Sequence, residues 1–223
     1  MAGILRAQPG WQEAIGGAVA GASRPIAADE RFSPRDASGR FNYQRWDRSS
    51  FPAAREASTL LLVYPGEDGD LTLPLTLRHA GLPAHPGEIS LPGGAVDPVD
   101  VSREAAALRE AHEEIGVDPA TVRVAGALDD IWIPVSNFEL RPFVGTATLR
   151  PTLVPQTNEV AEIVELPLRL ILTDAIIGEE EITGASWVLR AAVYRHAGQR
   201  IWGATARTLA MFAAVLAEAG ITD

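Results

Sequence analysis

Between Gly93 and Val117 the chain reads GGAVDPVDVSREAAALREAHEEIGV, a glycine turn that runs into a single helix with its charges gathered on one side. A helix advances about 100° per residue, so Glu110, Glu113 and Glu114 share one arc of its surface. Glu104, Leu108, Ala111 and Ile115 lie on the far side, and the last three form an apolar stripe suited to burial. Carboxylates at i, i+3 and i+4 repel one another by roughly 0.2–0.5 kcal/mol per pair in an isolated helix. A cation would offset that repulsion, and a hard divalent ion with oxygen ligands is the simplest candidate: Mg²⁺, with Mn²⁺ able to substitute. An EAAALREAHEE run is also what an ordinary solvated helix looks like, so the helix by itself leaves both readings open.

The spacing around the helix decides between them. Arg109-Glu110, Glu113-Glu114 and Gly116-Val117 stand at fixed offsets behind Gly93-Gly94. The pattern resembles the Nudix box, a loop–helix–loop signature of hydrolases that split diphosphates linked to another group, and RExxEExGV matches it residue by residue. The resemblance implies an α/β/α sandwich with a mixed β-sheet, and Glu110, Glu113 and Glu114 as metal ligands. One departure stands out. The family's usual Glu after the glycines is Asp100 here, one residue further from the Arg-Glu pair. In the family that acid pairs with the arginine, so the resemblance makes Asp100 and Arg109 partners that brace the helix rather than ligands. Gly93 and Gly94 would form the tight turn that brings backbone amides and carbonyls to the site, where substrate binds.

With 223 residues, 47% hydrophobic and 22% charged, the chain suits one globular domain with an extension. No apolar run reaches the roughly 18 residues of a membrane span, and Pro9, Gln12 and Glu13 interrupt any signal-peptide core. No membrane partner is expected. The absence of cysteine excludes disulfides, thiolate catalysis and zinc–sulfur sites, and a cytoplasmic address follows as an expectation. A net charge of −10 argues against a nucleic-acid surface, which needs clustered Lys and Arg, but not against a small nucleotide held by a metal ion and a few local arginines.

Residues 1–56 read as an N-terminal extension: a helix over Trp11–Ala20, then a polar, turn-rich stretch in which Phe41, Tyr43, Trp46 and Phe51 would anchor the segment, with an aromatic contact to a nucleobase as the alternative. Residues 57–220 read as the Nudix domain. Ser58–Tyr64 is a buried-strand run, and Leu71–Arg78 returns after an acidic turn as a hairpin partner. Gly81–Gly94 reads as a loop. The acidic helix follows from Ser102, its N-cap, to Ile115, with Gly116 in the left-handed C-terminal position. Strands are expected over Val122–Asp130, Ile131–Val135, Glu139–Leu149, Glu159–Leu166 and Ala185–Tyr194. A helical stretch covers Pro167–Leu172, a turn falls at Ala197-Gly198, and a last helix covers Ala204–Glu218.

Leu75-Thr76-Leu77-Arg78, then His85-Pro86-Gly87 and Pro92-Gly93-Gly94, resemble the coenzyme A pyrophosphatase branch of the family. The GG-xx-D-P-x-D spacing and Arg200–Ala206 (RIWGATA) do so too, and the likeness covers Ala57 to Leu216. Enzymes of that branch cut CoA or its thioesters into 3′,5′-ADP and a 4′-phosphopantetheine product. His79, Pro83, Glu88 and Leu91 depart from the branch pattern; a lost cation and a gained Glu88 would weaken binding of the CoA 3′-phosphate. Arg78 is either a phosphate contact or an ordinary strand-end arginine, His85 reads as loop packing, and Trp202 reads as core.

By the family's pattern Glu114 and Glu110 are the first ligands, with Glu113 completing the cluster. The base that takes a proton from the attacking water is Glu110, or a later carboxylate, Glu159 or Glu162. Two rival readings remain. One keeps the enzyme but exchanges CoA for ADP-ribose, NADH or another nucleoside diphosphate derivative. The other is a catalytically silent nucleotide sensor, although such domains usually lose the box carboxylates that this chain retains. A homodimer, with residues 1–56 as the candidate interface, completes the expectations.

Overall fold

In a computed structural model of the protein, the described residues are 5–33, 35–36, 38–40, 47–82, 85–183 and 188–222. Phe41, Tyr43, Trp46, Pro83 and Ala185 lie outside them. In chain order the elements are α1 (Trp11–Gly21), β1 (Arg35–Asp36), β2 (Arg55–Pro65), β3 (Leu71–Arg78), β4 (Ile89–Ser90), β5 (Gly93–Ala95) and α2 (Arg103–Ile115). Then come β6 (Arg123–Ala127), β7 (Ile131–Ile133), β8 (Phe138–Thr146), β9 (Val160–Pro167), β10 (Ile177–Thr183), β11 (Val188–His196), β12 (Gln199–Ile201) and α3 (Gly203–Glu218).

The unbroken apolar run Leu60–Val63 lacks the alternation of a half-exposed strand, so it belongs where both sheet faces are covered. It sits there. β2 pairs in parallel with β8 from Arg55↔Phe138 to Val63↔Thr146. These strands centre an eight-stranded sheet of order β4-β3-β2-β8-β6, to which β5, β7 and β9 add antiparallel on β2, β8 and β3. Alternate residues of β2 then feed two cores. Leu60, Leu62 and Tyr64 pack with Ala107, Ala111 and Ile115 of α2. Leu61 and Val63 share the larger core with Leu73 and Leu75 of β3, Trp11 and Ile15 of α1, and Leu209 and Phe212 of α3. One helix on one face and two on the other give the expected α/β/α sandwich.

A second sheet of order β1-β11-β10, with β12 on β11, is antiparallel throughout. It joins the larger core through Ala192, Tyr194 and Ile201, and Phe32 stacks on Tyr194 at 4.5 Å. Trp11, Ile15, Val19 and Phe32, all before residue 57, are therefore buried in the same core, and Phe51 meets Trp132 edge-on at 5.0 Å. No helix among the described residues is long and apolar enough to cross a membrane.

Three local expectations need correcting. The hairpin of β2 with β3 holds only at Tyr64↔Thr72 and Pro65↔Leu71, because β3 then departs to pair with β9. The stretch Gly81–Gly94 is not all loop, since it contributes β4 and the start of β5. The strand β10, which carries Glu179, Glu180 and Glu181, was not foreseen.

Candidate active site

Local chemistry fixes α2. The Ser102 hydroxyl accepts from the Ala105 N–H at 3.0 Å, and Gly116, at φ +73°, closes the helix by donating to the His112 carbonyl at 2.9 Å. Arg103 staples the helix start to the central strands, donating to the carbonyls of Ala57 (2.9 Å) and Glu139 (2.6 Å). Against this helix the glycine turn lies very close. Gly93 opposes Thr59 and Gly94 opposes Ser58 in the β2–β5 ladder. A Cβ on Gly93 would strike the Ser58 carbonyl oxygen and stand 2.6 Å from the Thr59 Cα. A Cβ on Gly94 would stand 2.5–2.7 Å from the atoms of the Glu110 carboxylate. Gly94 thus leaves the space that Glu110 fills.

The acidic arc is not uniformly solvated. Glu114 is only 5% exposed and accepts from the Gly93 N–H at 3.2 Å. Burial pushes its carboxyl up to about 7; the Gly93 bond and Arg78 oppose that rise, while Glu110 and Glu159 add to it. Glu110 is raised too, chiefly by burial, against the opposing hydrogen bond from Arg109. Glu113 is exposed and takes a 2.9 Å hydrogen bond from Arg109 Nη1, which also donates to Glu110 at 2.9 Å. The rest of the Arg109 fork holds Asp100, whose side chain is 4% exposed, and the Ala95 carbonyl. That bond keeps the Asp100 carboxyl below the usual carboxylate range.

Arg78 stands at the end of β3, where the ladder slips: Leu77 opposes Glu162 but Arg78 opposes Val160. Its Nε is buried without a hydrogen-bond partner, and its charge acts on Glu114. Glu159, just before β9, accepts the His79 N–H on its carbonyl at 2.8 Å, and its carboxylate acts on Glu114. Glu162 stands apart from these. Its partner Leu77 packs against the larger core, so Glu162 sits on the sheet face turned away from α2. His85 lies 2.8 Å from the Glu88 carboxylate, whose hydrogen bond raises the imidazole above its ordinary value and ties the two within their loop. The sequence reading also missed Ser58, a fully buried residue on β2 opposite the glycine turn.

Among the described residues no three acidic or imidazole groups already form a closed metal cage. The donors nonetheless suit a hard cation. The buried carboxylate of Glu114 and the half-buried one of Glu110 repel each other beside a turn left open by glycine, and the single Arg109 is shared among four acids.

A mixed sheet, a capped carboxylate helix and a glycine turn define the site. The NUDIX domain profile matches residues 54–197. The chain is 31% identical over 226 residues to Nudix hydrolase 15, mitochondrial, of Arabidopsis thaliana, covering 97% of this chain and 68% of that protein. It is 35% identical over 170 residues to Nudix hydrolase 22, chloroplastic, of the same plant, covering 73% and 55%. With the uncharacterized Nudix hydrolase NudL of Pectobacterium atrosepticum it shares 43% over 97 residues, 44% of this chain and 50% of that one. The chain thus spans between half and about two thirds of the length of these relatives. Among solved structures it is similar to the Nudix hydrolase RenU of M. smegmatis, 26% identical with a TM-score of 0.45 over 53% of this chain and 73% of that one. The chain belongs to the Nudix family. The relatives that it matches are named as Nudix hydrolases, a class that generally uses divalent metal ions.

Proposed function

We propose that the protein hydrolyses CoA or an acyl-CoA at its diphosphate, giving 3′,5′-ADP and the (acyl-)4′-phosphopantetheine, with Mg²⁺ or Mn²⁺ held by Glu110, Glu114 and Glu113. What supports the substrate most is the meeting of separate signature stretches. The Arg78 N–H donates to the Glu88 carbonyl at 2.9 Å, and Thr76 opposes Ser90 across β3 and β4. Thr205, within the RIWGATA stretch, donates to the Ile89 carbonyl at 3.3 Å, and Gly93 donates to Glu114.

When bound, the ion supplies Lewis-acid polarisation and neutralises charge at the reacting phosphate. The chain supplies the positioning. Glu110 and Glu114 bind the ion, and the Arg78 guanidinium binds and orients phosphate oxygens. Glu159 accepts the proton of the attacking water as its oxygen bonds to phosphorus and the bridging oxygen leaves; Glu110 is the other candidate for that proton.

A second reading, ADP-ribose or NADH as substrate, is favoured by Glu88, an anion beside Arg78 where the 3′-phosphate of CoA would gain nothing. Product analysis with Mg²⁺ and CoA, acetyl-CoA, ADP-ribose, NADH and a diadenosine polyphosphate tests both. Release of 3′,5′-ADP at the highest kcat/KM supports the first reading; preference for ADP-ribose or NADH replaces it with the second. A homodimer through residues 1–56 is a further part of the proposal. Trp11, Ile15 and Val19 are already spent on the chain's own core, so such an interface would be polar. Sedimentation showing only monomer would dismiss it.

A further inference from the structure

Among the described residues three buried side-chain atoms lack a hydrogen-bond partner: Ser58 Oγ, Arg78 Nε and Arg103 Nε. Each arginine has further N–H groups, and those of Arg103 are in use. Ser58 has only its hydroxyl, and the residue is 0% exposed. A buried hydroxyl without a partner costs about 1–3 kcal/mol. Alanine would avoid that cost, and the other buried hydroxyls of the strand, Thr59 and Tyr64, have partners in Pro92 and Glu165, so this one calls for an explanation.

Its position supplies one. Ser58 opposes Gly94 in the β2–β5 ladder. Opposed residues of an antiparallel pair share a face, with Cβ positions about 4.5–5.5 Å apart. A Cβ at Gly94 would stand 2.5 Å from Glu110 Oε1. The Ser58 side chain therefore projects from the α2 face of the sheet, the face on which the Glu110 carboxylate lies. Glu110 is held here by Arg109 Nη1 at 2.9 Å, a bond that competes with ligation.

We propose that Ser58 is a positioning residue for the ion site: its hydroxyl, directly or through one buried water, donates to the Glu110 carboxylate and holds it toward the ion rather than toward Arg109. The inference rests on the reading of Glu110 as a ligand. A carboxylate that gives one oxygen to a cation needs a donor for the other, and loss of such supporting donors typically weakens metal binding 10–100-fold.

Mn²⁺ titration followed by electron paramagnetic resonance, together with thermal unfolding in EDTA, tests this on wild type, Ser58→Ala and Glu110→Gln. Ser58→Ala is expected to raise the Mn²⁺ Kd about tenfold or more, while the Tm in EDTA stays level or rises because an unsatisfied group has gone. Ser58→Cys keeps the volume with only a weak donor and carries the same expectation if the alanine variant does not fold. An unchanged Kd, or a lower Tm in EDTA with an unchanged Kd, would overturn the proposal and leave Ser58 a packing residue. If wild type binds Mn²⁺ and Glu110→Gln binds it equally well, or if wild type binds none, the ligand reading itself fails.

Discussion

Arg109 grips Asp100 with both edges of its fork, Nε to Oδ1 and Nη2 to Oδ2, each at 3.0 Å. The same guanidinium reaches Glu110 and Glu113 through Nη1. A loop acid thus sets how far the arginine leans toward Glu110 and Glu113, although Asp100 stands one residue out of the usual register. Asp100→Asn should cost about 1–3 kcal/mol of stability, because it weakens a buried charge-assisted pair. It should also lower kcat/KM, since Arg109 is then freer to hold Glu110. Thermal unfolding and steady-state kinetics check the two effects; a stable variant with wild-type kinetics would refute the bracing role.

Gly94→Ala puts a methyl group where the Glu110 carboxylate lies, 2.5–2.7 Å from its atoms. The far end of Glu110 can shift, so the fold should survive with a modest change in Tm. A ligand displaced by about 1 Å can cost 10²-fold in rate. The expected outcome is a drop of about that size in kcat with a weaker Mg²⁺ dependence. Wild-type turnover would mean that Glu110 need not occupy that space.

The metal-free protein should reveal Glu114 through pH. Its carboxyl titrates at about 7 when folded, against 4.5 as the ordinary value. Between these values the folded state holds a proton that the unfolded chain releases. The group's favourable contribution is therefore complete below the lower value and is lost as pH rises through the upper one. In EDTA the stability of wild type relative to Glu114→Gln should fall by roughly 1–3 kcal/mol between pH 5 and 8. A difference that does not change with pH would mean that Glu114 is solvated.

The two acids at the start of β9, Glu159 and Glu162, separate cleanly. Glu159→Gln should lower kcat while leaving KM within a few-fold, and Glu162→Gln, on the far face of β9, should leave both near wild type. Equal losses in the two variants, measured at saturating Mg²⁺, would contradict the β3–β9 register.

Features governed by short-range chemistry could be read from the sequence. Ser102 and Gly116 bound α2 because capping involves only neighbouring backbone groups, and Leu60–Val63 announces a doubly covered strand. Cross-chain geometry could not be read in this way. The slip that leaves Ala161 between the partners of Leu77 and Arg78 is a property of two strands, and it separates Arg78 and Glu159 from Glu162. The strand β10 looks like a charged loop until β11 and β12 supply its partners: Arg190 for Glu179 at 3.4 Å, and Arg195 and Arg200 for Glu180 at 2.8 and 3.2 Å. Ser58 carries no motif, and only its burial beside Gly94 marks it.

The most direct test of the account is the rate of CoA hydrolysis by Glu114→Gln at saturating Mg²⁺, with circular dichroism confirming the fold. Loss of a group that stabilises charge in the reaction predicts a fall in kcat of about 10²–10³-fold or more with an unchanged spectrum. Near-normal turnover by a folded Glu114→Gln protein would contradict the claim that the α2 carboxylates form the catalytic metal site.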